Sequence, residues 1–250
     1  MNYYIKLTLT LLTLLVLDRL NAFEADSEKK VSPFKGDVQL GYIMSSGNTD
    51  TTTLNSKFNV HYNMDEWLQK FSLEAYSSSD NDVSTGERYR ADYQLDRKLD
   101  ESRYIFGNGS YEEDKFSGYE YISTMVAGYG HQLYNQDKTT LDAEIGLGYR
   151  NSKLTPESVV PGESADINEV LIRFALDYNW LIAENRSLHS KLKVDAGEES
   201  TISHFEVAFI TMIAGDLSFK AAFEARYNSD VPVTTKNLDT ITSISLLYAF

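Results

Sequence analysis

The chain contains no cysteine, only four prolines and only two tryptophans among its 250 residues. Without cysteine it has neither disulfides nor a thiolate metal site. No stretch reaches the roughly 18 consecutive apolar residues that indicate a transmembrane helix. A net charge of -14 argues against nucleic acid as a partner, because binding the phosphate backbone needs a basic face. The chain is instead rich in acidic residues, with 37 aspartates and glutamates, and in tyrosine, with 17.

Catalytic motifs are also missing. The sequence has no HExxH, no GxSxG and no phosphate-binding loop. Ser190 and Ser203 adjoin His189 and His204, but neighbours on a strand point to opposite faces. We therefore predict that the protein is not an enzyme and has no catalytic residues, no metal site and no cofactor. An outer-membrane hydrolase with a lumenal or rim site that uses His61 or His189 is the alternative.

The first 22 residues are typical of a secretory signal peptide. One lysine precedes a largely apolar stretch of eleven residues, Leu7–Leu17, and Ala22 offers a small residue for cleavage. A helix of that length reaches about 16 Å, which is too short for a ~30 Å hydrocarbon core. The predicted domains are a cleaved signal at 1–22, a short periplasmic segment at 23–35 and a barrel at 36–250.

The remaining sequence repeats a pattern with a period of two. Over residues 169–180, for example, Val170 and Phe174 alternate with Arg173 and Asp177. Such alternation is typical of a strand with one apolar face. About twelve such segments follow one another, and a ten-residue strand tilted by about 45° covers roughly 23 Å, near the ~25 Å apolar band of outer-membrane barrels. We predict an all-β fold, a single transmembrane, antiparallel, up-and-down β-barrel of about 12 strands.

The connections between these segments alternate in length, as in outer-membrane barrels with short periplasmic turns and longer external loops. Short connections centre on 64–66, 99–102, 135–138, 183–186 and 214–216, and longer ones occupy 77–86, 112–118, 151–168, 197–202 and 228–238, with 46–50 as a short member. Both chain ends are therefore expected in the periplasm. Acidic residues of the longer connections are interpreted as a solvated loop surface: Asp80, Asp82, Glu112, Glu113, Asp114, Glu157, Glu163, Asp166, Glu198 and Glu199. The alternative is that they hold Ca²⁺ or Mg²⁺ against anionic lipid head groups, although none has the spacing of a defined calcium loop.

A soluble β-sandwich or a periplasmic, lipocalin-like binding barrel would show the same alternation with its apolar face inward. Twelve long strands exceed a lipocalin, however. Tyrosines also recur at strand ends, where an interfacial girdle places them: Tyr62, Tyr149, Tyr178, Tyr227 and Tyr248. We therefore predict a monomer in the bacterial outer membrane, surrounded by lipid and lipopolysaccharide.

The polar face of each strand then lines the lumen, and its charges of both signs are interspersed. They either form ion pairs that fill a narrow lumen or line a polar channel, and the sequence leaves both readings open. The lumen-lining candidates are Arg88, Arg90, Asp92, Glu144, Arg173, Asp177, Lys191, Lys193, Glu224 and Arg226.

The last segment of the chain is expected to close the barrel against residues 38–44. Leu246, Tyr248 and Phe250 fall two apart at its end. This pattern resembles the C-terminal signal that the barrel assembly machinery reads, so we predict these three residues as an assembly signal and that machinery as a partner.

Three stretches carry a family likeness, namely Gly41–Thr53 (GYIMSSGNTDTTT), Tyr104–Leu133 and Leu141–Arg150. They resemble the YdiY-like salt-induced outer-membrane proteins of Gram-negative bacteria, and the resemblance extends from about residue 34 to 250. It implies an outer-membrane barrel with a link to salt stress. Its motifs are turns and glycines, so it assigns no catalytic or binding residue.

Overall fold

The fold is one antiparallel sheet that closes on itself. The computed structural model describes residues 32–45, 51–162, 164–232 and 235–250. Within these ranges the strands are β1 (Phe34–Ser45), β2 (Thr51–Asn63), β3 (Trp67–Asp80), β4 (Val83–Lys98), β5 (Arg103–Asp114), β6 (Tyr119–Gln136), β7 (Thr139–Leu154), β8 (Asp166–Ala183), β9 (Arg186–Gly197), β10 (Thr201–Ala214), β11 (Leu217–Asn228) and β12 (Leu238–Ala249). Each strand pairs with its neighbours in sequence, and β1 pairs with β12.

The predicted all-β, up-and-down barrel of 12 strands is therefore confirmed. No helix in the described part of the chain is long and apolar enough to cross a membrane. The predicted signal peptide at 1–22 lies outside the described residues, as do 23–31 of the short segment that follows it.

The outward face of the barrel is apolar around its middle. Ile145, Leu147, Val170 and Ile172 stand on adjacent strands and are 54–66% exposed. A soluble monomer rarely exposes apolar patches of more than a few hundred Å², so a continuous belt of this kind indicates lipid as the surrounding solvent. The predicted location in the outer membrane agrees with this belt, since a closed barrel leaves no sheet edge in the hydrocarbon.

Aromatic residues mark both borders of the belt. We call the end with the chain termini the termini end and the opposite end the loop end. Exposed aromatics near the termini end include Trp67, Trp180 and Tyr248, and those near the loop end include Tyr42, Tyr89, Tyr111, Tyr149 and Tyr227. Aromatic girdles at both membrane interfaces are characteristic of outer-membrane barrels.

Several strands extend further than the sequence indicates. The loop expected at 77–86 is wrong, because β3 and β4 stay paired up to Asp80 and Val83 and a turn of two residues joins them. Asn81 and Asp82 in this turn have φ values of 47° and 64°, which is the signature of a type I′ hairpin. The loop expected at 112–118 shortens to 115–118, because Glu112 and Asp114 belong to β5. The longest connections are 155–165 and 229–237.

The positive φ of Asp82 leads to a stability prediction. A left-handed backbone costs an L-residue roughly 1–2 kcal/mol and costs glycine nothing. We expect Asp82→Gly to be more stable than Asp82→Ala by about 1 kcal/mol, measured by urea unfolding in lipid vesicles. Ser77 in β3 is the control, because its register is regular with both neighbouring strands, and alanine should there be the more stable of the two variants. If the glycine variant were the more stable one at both positions, the turn assignment would be contradicted.

The β4–β5 turn at the termini end is held by an aspartate of its own. Asp100 accepts hydrogen bonds from the backbone N–H groups of Ser102 (3.0 Å) and Arg103 (2.8 Å). The Arg103 side chain also donates to it, and together these donors hold the pKa of Asp100 well below its usual range. The β4–β5 turn is thereby fixed without a long loop.

Candidate functional site: the barrel lumen

Contacts between distant strands identify the inward face. β5 and β11 stand six places apart in the ring of strands, on opposite walls, yet Glu112 of β5 forms an ion pair with Arg226 of β11. Arg88 of β4 likewise faces Glu224 of β11 at 3.9 Å. Only side chains inside the barrel can meet in this way, so this polar face lines the lumen.

A chain of charged and amide side chains crosses the lumen, and we call it the mid-lumen network. It starts at Asp195 on β9, which accepts two hydrogen bonds from Arg173 on β8 at 2.6 and 2.7 Å. Arg173 also donates to the amide oxygen of Asn108 on β5 at 2.5 Å. The Asn108 amide nitrogen in turn donates to Asp92 on β4 at 2.7 Å. Four strands are joined by these bonds.

The mid-lumen network continues to the opposite wall. Arg90 donates to Asp92 at 2.8 Å and to Glu112 at 3.2 Å. Glu112 also accepts from Arg226, whose Nε donates to Nδ1 of His204 on β10 at 3.2 Å. The network therefore runs without a break from β9 to β10 by way of β8, β5, β4 and β11. Charge-assisted hydrogen bonds of this kind are the strong ones.

A second cluster, near the loop end, is the most deeply buried. Arg150 and Glu169 are 1% and 4% exposed and lie 2.6 Å apart. Arg150 donates to the backbone carbonyl of Ser200 at 2.5 Å, and Glu169 accepts from the backbone N–H of Glu199 at 2.8 Å. Gly197 leaves room for the pair, because a Cβ there would lie 2.0 Å from a Glu169 oxygen. The pair thus anchors the β9–β10 turn.

Further pairs fill the wall near β1. Lys57 contacts Glu74 at 2.5 Å, and Lys220 contacts Glu206 at 2.8 Å. Lys220 also donates to Gln39 at 3.2 Å. These bonds tie β2 to β3 and tie β11 to both β10 and β1.

The termini end of the lumen has a looser arrangement. Glu144 accepts from Gln94 and from the Tyr104 hydroxyl, both at 2.9 Å. Asp177 lies 3.0 Å from His189 and 3.4 Å from Lys191. Asp177 and Lys191 are more than one third exposed, so this end forms a solvated vestibule.

The lumen also holds a small apolar core. Phe106, Val126 and Leu171 are buried together inside the barrel, with Tyr104 packed against them. Glycines on β6 and β7 give these side chains room: a Cβ on Gly130 would lie 2.1 Å from the Tyr104 ring. Packed apolar side chains therefore fill one side of the lumen, and ion pairs fill the other.

The predicted lumen residues can now be placed. All ten lie on inward-facing positions, and nine of them are held by the ion pairs and hydrogen bonds of the lumen. The tenth, Lys193, is the register partner of His204 and has no ion pair within 4 Å among the described residues. The predicted assembly-signal residues Leu246, Tyr248 and Phe250 are about half exposed on the outer surface.

Glu112 and Asn108 are two lumen residues of β5 that the sequence analysis missed. It also did not assign four others to the lumen, namely Lys57, Glu169, His204 and Glu206. Glu112 is not in a loop, as expected, but in β5. The available signal was the alternation of Asn108, Ser110 and Glu112 with Gly107 and Gly109, which the glycines obscure. Within the described ranges, no group of three or more histidines and carboxylates is placed to hold a metal ion.

Comparison with known proteins agrees with this architecture. The uncharacterized protein YdiY of Escherichia coli (strain K12) is 26% identical over 225 residues, which cover 90% of this chain and 86% of YdiY. An outer membrane channel from Pseudomonas putida F1 has a TM-score of 0.53 at 11% identity, covering 91% of this chain and 100% of the channel. The translocator domain of the autotransporter NalP from Neisseria meningitidis has a TM-score of 0.51 at 11% identity and covers 97% of both chains.

At such low identity the two solved structures show the fold alone, and that fold is the outer-membrane β-barrel. The family model described as "Protein of unknown function, DUF481" matches residues 38–250. The chain therefore belongs to the DUF481 family, and the resemblance to YdiY-like outer-membrane proteins is confirmed.

Proposed function

We propose that this protein is a closed structural barrel of the outer membrane, in which the lumenal charges hold the walls together instead of lining an open pore. The ion pair between Glu112 and Arg226 carries this proposal, because it joins opposite walls. A barrel of twelve strands lies between packed eight-strand barrels and open porins of sixteen strands or more. Here the interior is occupied by the mid-lumen network and by the apolar core around Phe106.

The energetics favour a barrier to solutes. A solute that passes the network must separate charges whose partners lie inside the barrel, and removing one partner of a buried pair costs about 3–5 kcal/mol. Lipid and lipopolysaccharide around the apolar belt, a monomeric state, and insertion by the barrel assembly machinery through Leu246, Tyr248 and Phe250 are part of the proposal. A role under salt stress is supported by the likeness to YdiY-like proteins.

A narrow channel is the second candidate, and Lys193 favours it. This lysine lies beside His204 in the middle of the lumen with no ion pair within 4 Å among the residues that the structure describes. Because no carboxylate of the described residues pairs with this amine, it can bind an ion that enters the lumen. The channel would conduct only after the mid-lumen network rearranges.

Planar-bilayer recording of the wild-type protein separates the two functions. We expect no discrete conductance steps, because the network links strands across the lumen through Arg173 with Asn108 and through Glu112 with Arg226. Liposome swelling with small sugars is expected to be equally negative, and heat-modifiable gel mobility checks that the protein is folded and inserted. Reproducible steps with the wild-type protein would overturn the closed barrel and support the narrow channel.

A further inference from the structure

Lys193 is a lumenal cation that has no ion-pair partner among the described side chains. It projects inward from β9, and no carboxylate of the described ranges lies within 4 Å of its amine. Lys191, the preceding inward residue of the same strand, does have such a partner, since it lies 3.4 Å from Asp177. A charge inside a protein is costly unless it is paired. The protonated amine of Lys193 therefore needs a partner that the described side chains do not supply.

The two carboxylates that attract Lys193 most strongly are already bound by other cations. Asp92 accepts a hydrogen bond from Arg90 at 2.8 Å, and Asp195 accepts two from Arg173 at 2.6 and 2.7 Å. Lys193 is repelled by Arg90 and by Arg173 more strongly than it is attracted by either carboxylate. Positive charge therefore predominates around the amine, and an added negative charge would be stabilised there.

His204 adds a second hydrogen-bond donor beside Lys193. The two residues are register partners on β10 and β9. Nδ1 of His204 accepts a hydrogen bond from Nε of Arg226 at 3.2 Å, so the hydrogen-bond network assigns the ring proton to Nε2, which is then a donor. The charged groups that act most strongly on this ring are all cations, namely Arg226, Lys193, Arg90 and Arg88. The Nε2–H group thus belongs to the same region of positive charge.

The strand on the other side of Lys193 leaves room beside the amine. Its register partner on β8 is Ala175, whose side chain is a single methyl group. Lys193, Ala175 and His204 are all half-buried although they face inward, so solvent reaches them inside the barrel. Lys191 in the vestibule is two residues away along β9, which is roughly 7 Å. An ion that enters the vestibule therefore has only a short distance to travel.

We propose that Lys193 and His204 form a binding site for a small monovalent anion such as chloride, held by the ammonium group and by Nε2–H. The anion compensates the charge of Lys193 and reduces its repulsion by Arg90 and Arg173. The alternative is an uncharged amine with no anion, because an isolated buried charge can also be removed by loss of its proton. The site goes beyond the closed-barrel function proposed above, since an ion can bind here without crossing the membrane.

Heat unfolding in two buffers tests the site. The midpoint of unfolding in detergent micelles is compared in chloride and in gluconate at equal ionic strength, so that screening is the same in both. An anion that binds only the folded protein stabilises it, and we expect the wild-type midpoint to be roughly 2–4 °C higher in chloride. The Lys193→Met protein should have the same midpoint in both buffers. In gluconate it should be at least as stable as the wild type, because the unpaired charge is gone.

Two further variants make the comparison specific to Lys193. Lys191→Met is the matched control, because Lys191 also faces the lumen but has Asp177 as a partner, and this variant should keep the chloride response. Ala175→Glu supplies a carboxylate beside Lys193, so it should abolish the response and raise the midpoint in gluconate. Equal wild-type midpoints in the two buffers would overturn the site in favour of the uncharged amine. An equal response in the wild type and in Lys193→Met would mean an adventitious ion only.

A second measurement locates the anion directly. Crystals of the wild-type protein soaked in bromide should show an anomalous peak within hydrogen-bond distance of the Lys193 Nζ, and crystals of Lys193→Met should lack it. Absence of this peak from the wild type would refute the site even if the unfolding midpoints differ. Neither measurement records conductance, so both results are independent of whether the barrel is closed or forms a narrow channel.

Discussion

Replacing both Glu112 and Arg226 with alanine is expected to turn the closed barrel into a conducting one. These side chains meet from opposite walls, and their loss removes the direct link between β5 and β11. Changing both avoids leaving one buried charge without its partner, which destabilises more than loss of the pair. Arg90 keeps Asp92 as a partner at 2.8 Å, so the rest of the mid-lumen network remains. Discrete single-channel steps should appear where the wild type shows none.

The outer surface supplies a matched control for this double variant. Lys115 and Glu87 also form an ion pair, at 2.5 Å, but Lys115 is half exposed at the loop end. The variant in which both are replaced by alanine should, like the wild type, give no conductance steps. If the Glu112→Ala, Arg226→Ala protein inserts, folds and still fails to conduct, the link between Glu112 and Arg226 is not the barrier.

The fold could be predicted from the sequence because its physical cause is local. A strand between lipid and lumen must alternate apolar and polar residues, as residues 169–180 do, and a one-residue shift would place charges in lipid. The prediction failed where strands leave the apolar band. Ser77–Asp80 and Val83–Gly86 continue the ladder above the membrane, where both faces meet water and the alternation disappears.

The lumenal partners could not be predicted because they depend on the closed barrel. Arg226 meets Glu112 although 114 residues separate them, and only the ring order of the strands brings them together. The inward apolar core was equally hidden. Tyr104 and Phe106 occupy inward positions that alternation reserves for polar residues, and they fit because Gly128 and Gly130 lack side chains beneath them.

Arg150→Ala is expected to cause the largest loss of stability in the barrel. Arg150 and Glu169 are nearly inaccessible, so removing the guanidinium leaves a buried carboxylate without its partner, at a cost of about 3–5 kcal/mol. The loss is measured as the change in the free energy of unfolding by guanidinium chloride, with the protein in lipid vesicles. Lys153→Ala is the control. Lys153 and Glu120 form an ion pair of 2.6 Å, but both side chains are exposed, and exposed pairs contribute roughly 0–1 kcal/mol. Equal losses for the two variants would show that water reaches Arg150.

Replacing both Arg150 and Glu169 with leucine distinguishes two contributions to stability: the ion pair itself, and the hydrogen bonds by which the pair holds the β9–β10 turn. A buried ion pair can often be replaced by apolar residues at little cost. Here Glu169 also accepts from the backbone N–H of Glu199, and Arg150 donates to the carbonyl of Ser200. Leucines would leave those backbone groups unpaired, each at about 1–3 kcal/mol, so the double variant should recover only part of the loss. Hydrogen exchange at the Glu199 amide should quicken in it, whereas full recovery with a protected amide would mean that the pair stabilises the barrel without holding the β9–β10 turn.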